Sequence, residues 1–314
     1  MPVFRRRKGN LPRLVPELDD ATLGQVRRRL ETSWSRGSLD TSVIALVARA
    51  IEDAGQDWDR KAHRLEVLAG AAGRAVPDMW RRNSPNDQGA VLLHAWSDLL
   101  QAQRGAEVDL AATRDACHLA ADLLPADPIP WTLALATLRL ERRPHREMSA
   151  VWREIKARDL WNREAHLQAL AYLSPDECGS TALMLDLLDG IRSVMPPDAP
   201  TAGLEIITLV RNYHRAFGAD GRAGIGAGEH WRRPDIARAL DQAVQDWLRP
   251  GFLTHATAVA DLNVLAYALV KAARADEALE VLRATNGVAT PWPWNTEGDP
   301  LERFSHWYGR VGSA

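Results

Sequence analysis

Nearly every stretch of this chain between turn signals carries apolar residues at helical spacing, and that period constrains the fold more than any single motif. In "QGAVLLHAWSDLLQAQ" (88–103), Val91, Leu92, Ala95, Leu99 and Ala102 recur at steps of three and four, which places them on one stripe of a helix. The next segment repeats the pattern with Ala116, Leu119, Ala120 and Leu123. No sustained two-residue alternation bounded by hairpin turns occurs, so the spacing predicts an all-α fold of about a dozen short helices.

Helix starts are marked by side chains able to accept the amide hydrogens that a first turn leaves unpaired. Asp20, Asp40, Asn86 and Asn162 stand in such positions. "SPDE" at 174–177 predicts a capping box, with Ser174 as N-cap, Pro175 at the first helical position and Glu177 three residues after the cap. Pro144 and Pro234 are expected to open helices in the same way.

Short helices in series suggest repeats. "PADPIPWTLALATL", "DLWNREAHLQALAYL" and "PPDAPTAGLEIITLV" each open a helix pair, and Trp131, Ala165 and Ala202 then stand 34 and 37 residues apart. "ALVKAARADEALEVLRA" (268–284) resembles the turn and second helix of a tetratricopeptide repeat, with Ala273 where that family usually carries Gly. Its small Ala275 and Ala278 allow paired helices to approach closely. More of the chain is similar to a tetratricopeptide-like family of GC-rich bacteria. The residues that carry this are "DWDRKAHRLEVLA" (57–69), "PADPIPW" (125–131), "VWREIKARDLWNREAHLQALAYL" (151–173), "GS" (179–180), "TPWPW" (290–294) and "GDPLERF" (298–304). The resemblance implies a degenerate α-solenoid, a right-handed superhelix of antiparallel helix pairs, and it brings no activity with it. The insertion "RGAEVDL" (104–110) stretches one unit.

The expected layout is a basic, disordered tail over 1–18 and a helical array over 19–216. A Gly-rich flexible loop follows over 217–232, then a C-terminal segment over 233–314 with a tetratricopeptide-like pair and a Trp/Pro cap. The tail holds Arg5, Arg6, Arg7 and Lys8 but no apolar run after them, so it does not read as a secretory signal. A net charge of −2 gives no reason to expect nucleic acid or an anionic membrane as partner, and Cys117 and Cys178 are too few for a disulfide framework. The reading is a cytoplasmic protein with no cofactor.

Three functions fit. The leading one is a non-enzymatic scaffold that holds a protein or peptide in a concave groove. Arg211, Asn212, His214 and Arg215 interrupt an apolar helix in "LVRNYHRAF", and Asn263 and Tyr267 lie four apart on a later one; together they supply donors for a peptide backbone or carboxylate. The second is an enzyme with a metal held between helices by His94, Asp98, Asp115 and His118, with His63 and Glu66 a further pair at helical spacing. The third is a structural, self-assembling repeat. Gly224, Gly226 and Gly228 do not read as a phosphate loop, since no strand precedes them. Of the twelve Trp, Trp131, Trp152 and Trp161 are expected to plug helix joints, and Trp292 and Trp294 to cap the last pair.

Overall fold

A computed structural model describes residues 11–35, 41–218 and 226–312. The fold there is all-α, with sixteen α-helices, two 3₁₀ turns and one two-residue strand pair among the described residues. None of these helices is long and apolar enough to cross a membrane. Arg5 to Lys8, Asp40 and Gly224 lie outside the described residues. The chain divides into two compact units, residues 20–201 and the segment before them joined to 202–314.

The first unit holds α1 (Ala21–Ser35), α2 (Thr41–Glu52), α3 (Trp58–Ala72), α4 (Ala75–Asn83), α5 (Gln88–Gln103), α6 (Leu110–Leu123), α7 (Ile129–Leu140), α8 (His145–Arg158), α9 (Arg163–Tyr172) and α10 (Thr181–Arg192). One continuous core runs through it from Leu23 to Tyr172. Successive helices pack as antiparallel neighbours, α5 on α6 and α7 on α8, while α3, α5, α7 and α9 form a row of their own. α3 also reaches α9, so these four surround a common centre. α5, α7 and α9 begin at 88, 129 and 163, and the longer first step contains the 104–109 loop that the insertion supplies.

Local chemistry explains most of the boundaries. Asp20 Oδ1 accepts from the Leu23 amide at 2.9 Å and Asn162 Oδ1 from the Ala165 amide at 2.9 Å, both as expected. The cap of α5 is Asp87 and not its neighbour Asn86; Asp87 Oδ1 receives the Ala90 amide at 3.0 Å. Pro144 immediately precedes α8, and Pro234 takes the first position of its helix.

The capping box at Ser174 does not form. Residues 173–178 are instead a turn, in which the Cys178 amide donates to Tyr172 O at 3.0 Å and the Gly179 amide to Ser174 O at 3.1 Å. A β-carbon at Gly179 would lie 2.1 Å from Leu173 O, so only glycine fits this turn. The helix waits until Thr181, where Ser180 Oγ accepts from Leu183 N.

The second unit contains α11 (Leu204–Phe217), α12 (Ala227–Arg232), α13 (Pro234–Trp247), α14 (Ala258–Lys271), α15 (Ala275–Ala284) and α16 (Pro300–Tyr308). Three expectations are corrected here. The tail is anchored well before residue 18, because β1 (Arg13–Leu14) pairs in parallel with β2 (Val288–Ala289) and Leu18 packs with Val259 and Val288. The Gly-rich segment includes a helix over 227–232; residues 219–225 lie outside the described residues. Finally, α11 belongs with the C-terminal helices and not with the array that ends near residue 201.

Small residues permit two close approaches in this unit. A β-carbon at Gly203, where α11 begins, would lie 2.3 Å from Asp261 Oδ2, so glycine admits the buried carboxylate that also faces His255 Nε2 at 3.3 Å. α14 and α15 form the hairpin read from "AARADEALEVLR", and Ala273 in its turn has φ of 60°. The Arg274 amide closes the end of α14 on Leu269 O at 2.9 Å. An L-residue pays for left-handed backbone that glycine adopts freely. Ala273→Gly is therefore expected to stabilise the second unit by about 1 kcal/mol, read as a higher Tm by calorimetry; an unchanged or lower Tm would count against this account of the turn.

Candidate functional site

Of the six groove residues suggested by the sequence, two are buried on α14: Tyr267 and, deepest of all, Asn263. It sits in the middle of α14 with no exposed surface and spends its amide inside the protein. Nδ2 donates to Val259 O at 2.8 Å and Val288 O at 3.0 Å, while Oδ1 accepts from Trp294 Nε1 at 3.0 Å and Thr290 N at 3.3 Å. That set ties α14 to the strand and to the Trp294 ring, itself edge-on to Tyr267 and Phe304. Asn263 is thus a core cross-link. Asn212 and Arg215 bond each other at the surface of α11, Nη1 to Oδ1 at 2.9 Å.

Arg211, His214 and Tyr267 do come together. The Arg211 guanidinium lies 5.8 Å from the Trp292 ring centre, and that ring meets His214 edge-on at 6.4 Å. His214 Nε2 stands 2.9 Å from Tyr267 Oη and 3.3 Å from Thr296 Oγ1. Both hydroxyl protons are committed elsewhere: Tyr267 donates to Glu297 Oε1 at 2.7 Å and Thr296 to Pro293 O at 2.7 Å. Nε2 must therefore carry the imidazole proton, leaving the basic lone pair on Nδ1. Burial, with Lys271 adding to it against the pull of Glu297, keeps this histidine below its ordinary pKa and so neutral at pH 7. Burial pushes Tyr267 up, as does its bond to Glu297. Burial alone would raise Glu297, but the bonds from Lys271 and Tyr267 hold it below the usual carboxylate range. This is a satisfied, low-charge network with an Arg–Trp face beside it.

The metal quartet is not assembled. His94 and Asp98 do meet on α5, Nδ1 to Oδ2 at 3.3 Å, but Arg74 forms an ion pair with Asp98 and lies 3.4 Å from His94 Nε2. Asp78 Oδ1 lies 3.1 Å from the same Nε2, and Thr113 donates to Asp98 at 3.1 Å. A guanidinium supplies the cation that the carboxylates call for. Burial first, and Arg74 next, hold His94 below its ordinary pKa. Asp115 and His118 are exposed on α6, where His118 lies edge-on to Trp131 at 5.3 Å. Among the described residues no three His, Cys, Asp or Glu side chains form a group that could hold a metal ion. Cys117 is core, its thiol pushed up to about 12 by burial, and Cys178 is an exposed thiol in the 173–178 turn.

A different polar site lies at the centre of α3, α5, α7 and α9. Glu66, Gln103, Thr132, Glu164 and Gln168 face one recess of about 40 Å³ between them, floored by Trp96 and Leu133. That space holds a few waters or one ammonium group. Gln168 Nε2 donates to Glu164 Oε1 at 2.6 Å. Glu66 is exposed at the mouth, where the protein packed around it and then the like charge of Glu164 push its carboxyl up, to about 7, against a smaller opposing pull from Arg163. The signal was in "HRLEVLA" and "WNREAHLQAL", but 98 positions separate the two glutamates.

Two outcomes test these assignments. Asn263→Ala leaves the Trp294 and Thr290 donors unpaired and is expected to cost about 2–4 kcal/mol of stability in denaturant melts; a loss below about 0.5 kcal/mol would place Asn263 outside the core's support. The Glu66 pKa, raised in the fold from 4.5 to about 7, contributes stability that is present below pH 4.5 and lost as pH rises through 7. The Tm of the native protein minus that of Glu66→Gln should therefore fall between pH 5 and pH 8, and a difference that stays flat would rule out the crowded carboxyl. Comparison with known proteins returns no match: no family model, no curated protein and no solved structure matches this chain.

Proposed function

We propose that this chain is a non-enzymatic binding protein whose α3–α9 region is a degenerate tetratricopeptide-like array. In this reading the recess shared by α3, α5, α7 and α9 recognises a lysine-bearing segment of a protein or peptide. The observation that carries it is the polar lining of a place where four helices converge. Helices packed around a common centre ordinarily present apolar residues to it, as these do elsewhere along their length. Here each contributes a carboxylate, an amide or a hydroxyl instead. The 34-residue step from α7 to α9, and the packing of first helix on first helix, support the repeat assignment.

The chemistry favours a compact cation. Two glutamates that share a recess repel each other, which adds to the effect of burial in raising Glu66, and an ammonium group placed between them removes that repulsion. The recess, about 40 Å³, has room for the end of a side chain and not for a backbone, so the peptide backbone rests at the mouth. Arg211, His214 and Tyr267 stand in the other unit, where their hydrogen bonds are already made, and they take no part in this site.

Calorimetric titration with a short lysine-rich peptide tests the reading. Binding is expected to release protons near pH 7 as Glu66 ionises, and to weaken at least tenfold in Glu66→Gln/Glu164→Gln and with acetylated lysines. Equal affinity of the native and doubly substituted proteins would remove the recess from the binding surface.

A further inference from the structure

A second hollow, independent of the recess, opens among α2, the first turns of α3 and α5, and the turn between α6 and α7. It measures about 350 Å³, the size of a small-molecule site. Its apolar lining comes from Trp58, Ile51, Ala48 and Leu124, with the buried Trp80 behind them. The room around Trp80 is kept by Gly89: a β-carbon there would lie 2.8 Å from the ring.

One polar group dominates the floor. Lys61 is buried, and its Nζ lies 2.5 Å from Asp127 Oδ2 and 3.0 Å from Gln88 Oε1. Asp127 and Gln88 are otherwise fully engaged, Gln88 Nε2 donating to Asp127 Oδ2 at 3.0 Å and Ile129 N to Asp127 Oδ1 at 2.8 Å. An ammonium has three N–H donors, and these two partners take two. The third meets no oxygen or nitrogen acceptor among the described residues; the ammonium has only the Trp58 ring beside it, 5.5 Å from the ring centre, on a side chain that lines the hollow. A buried donor left unmade is costly, so an occupant that brings an acceptor gains there.

Charge narrows the occupant further. Asp127 balances Lys61, and the hollow also carries Glu52, exposed and without an ion-pair partner among the described residues, and Asp87. The lining is thus net negative, which disfavours carboxylates and phosphates and favours amino groups at the rim. We propose that this hollow binds a flat, aminated heteroaromatic ring. The ring lies against the Trp58 indole, a ring acceptor takes the third Lys61 proton, and the amino group turns to Glu52 and Asp87.

The test is calorimetric titration of the full chain with cytosine, adenine, indole-3-acetate and agmatine as probes. Cytosine or adenine is expected to bind in preference to the other two. That binding should weaken at least tenfold in Trp58→Leu, which removes a wall, and in Ala126→Trp, which blocks the mouth from an exposed position and leaves the core intact. Lys61→Met, scored only if its circular dichroism matches the native chain, should lose the preference for an acceptor-bearing ring. Tighter binding of indole-3-acetate would overturn the charge argument, and tighter binding of agmatine the acceptor argument. Failure of both bases to bind at millimolar concentration, or equal binding by Ala126→Trp, would overturn the site itself.

Discussion

The longest helix described here has sixteen residues, and a helix of that length is marginal on its own in water. Its stability comes from covering an apolar stripe with a neighbour's. α5 shows the consequence: Val91, Leu92, Leu93 and Ala95 are all sealed, because α3, α4, α6 and α7 each take part of its circumference. From α1 to α8 each helix depends in this way on a neighbour in the chain, and α9 closes onto α7 and α3, so one core runs from Leu23 to Tyr172. The order of helices in sequence becomes the order of packing in space.

Stacking of this kind leaves polar groups in the interior, and their partners decide what each can do. Arg64 meets Asp20 at 2.8 Å and Ala50 O at 2.7 Å, and so fixes α3 against the start of α1 and the end of α2. Asn263 does the same work between α14 and the strand. Such groups are structural because their hydrogen-bonding capacity is exhausted. Glu66, crowded by Glu164, and Lys61, with one N–H that no oxygen or nitrogen accepts, are not exhausted, and each lines a space that water or a ligand can enter. Unused capacity beside a void, more than residue type, separates a site from a brace.

What the sequence made legible follows the range of the interaction. Helical period and caps act over three or four residues, and the all-α class, the Asp20 and Asn162 caps and the α14–α15 hairpin were readable on that basis. Even the unusual alanine of "AARADEALEVLR" was visible as a residue standing where glycine is expected. Failures came where a distant or competing partner decided. Ser174 lost its helix to a turn that Gly179 makes possible, and Arg13 and Leu14 found a strand partner some 275 residues away. Asn263 looked like a groove donor because its four partners are spread over residues 259–294. His94 and Asp98 looked like ligands because Arg74, twenty positions before the histidine, could not be placed beside them from spacing alone.

The same reasoning explains why His214 and Tyr267 make a poor catalytic pair. A general base needs a proton to take and a partner that tunes it near neutral pH. Tyr267 gives its proton to Glu297, whose charge is already balanced by Lys271, and burial favours the neutral imidazole. The four groups form a closed chain of donors and acceptors that ends in an ion pair, so moving any proton along it separates charge in a half-buried setting. What remains outward is the Arg211 guanidinium against Trp292, a contact that orders the "TPWPW" segment over α11. A network that strong at rest holds helices and strand together.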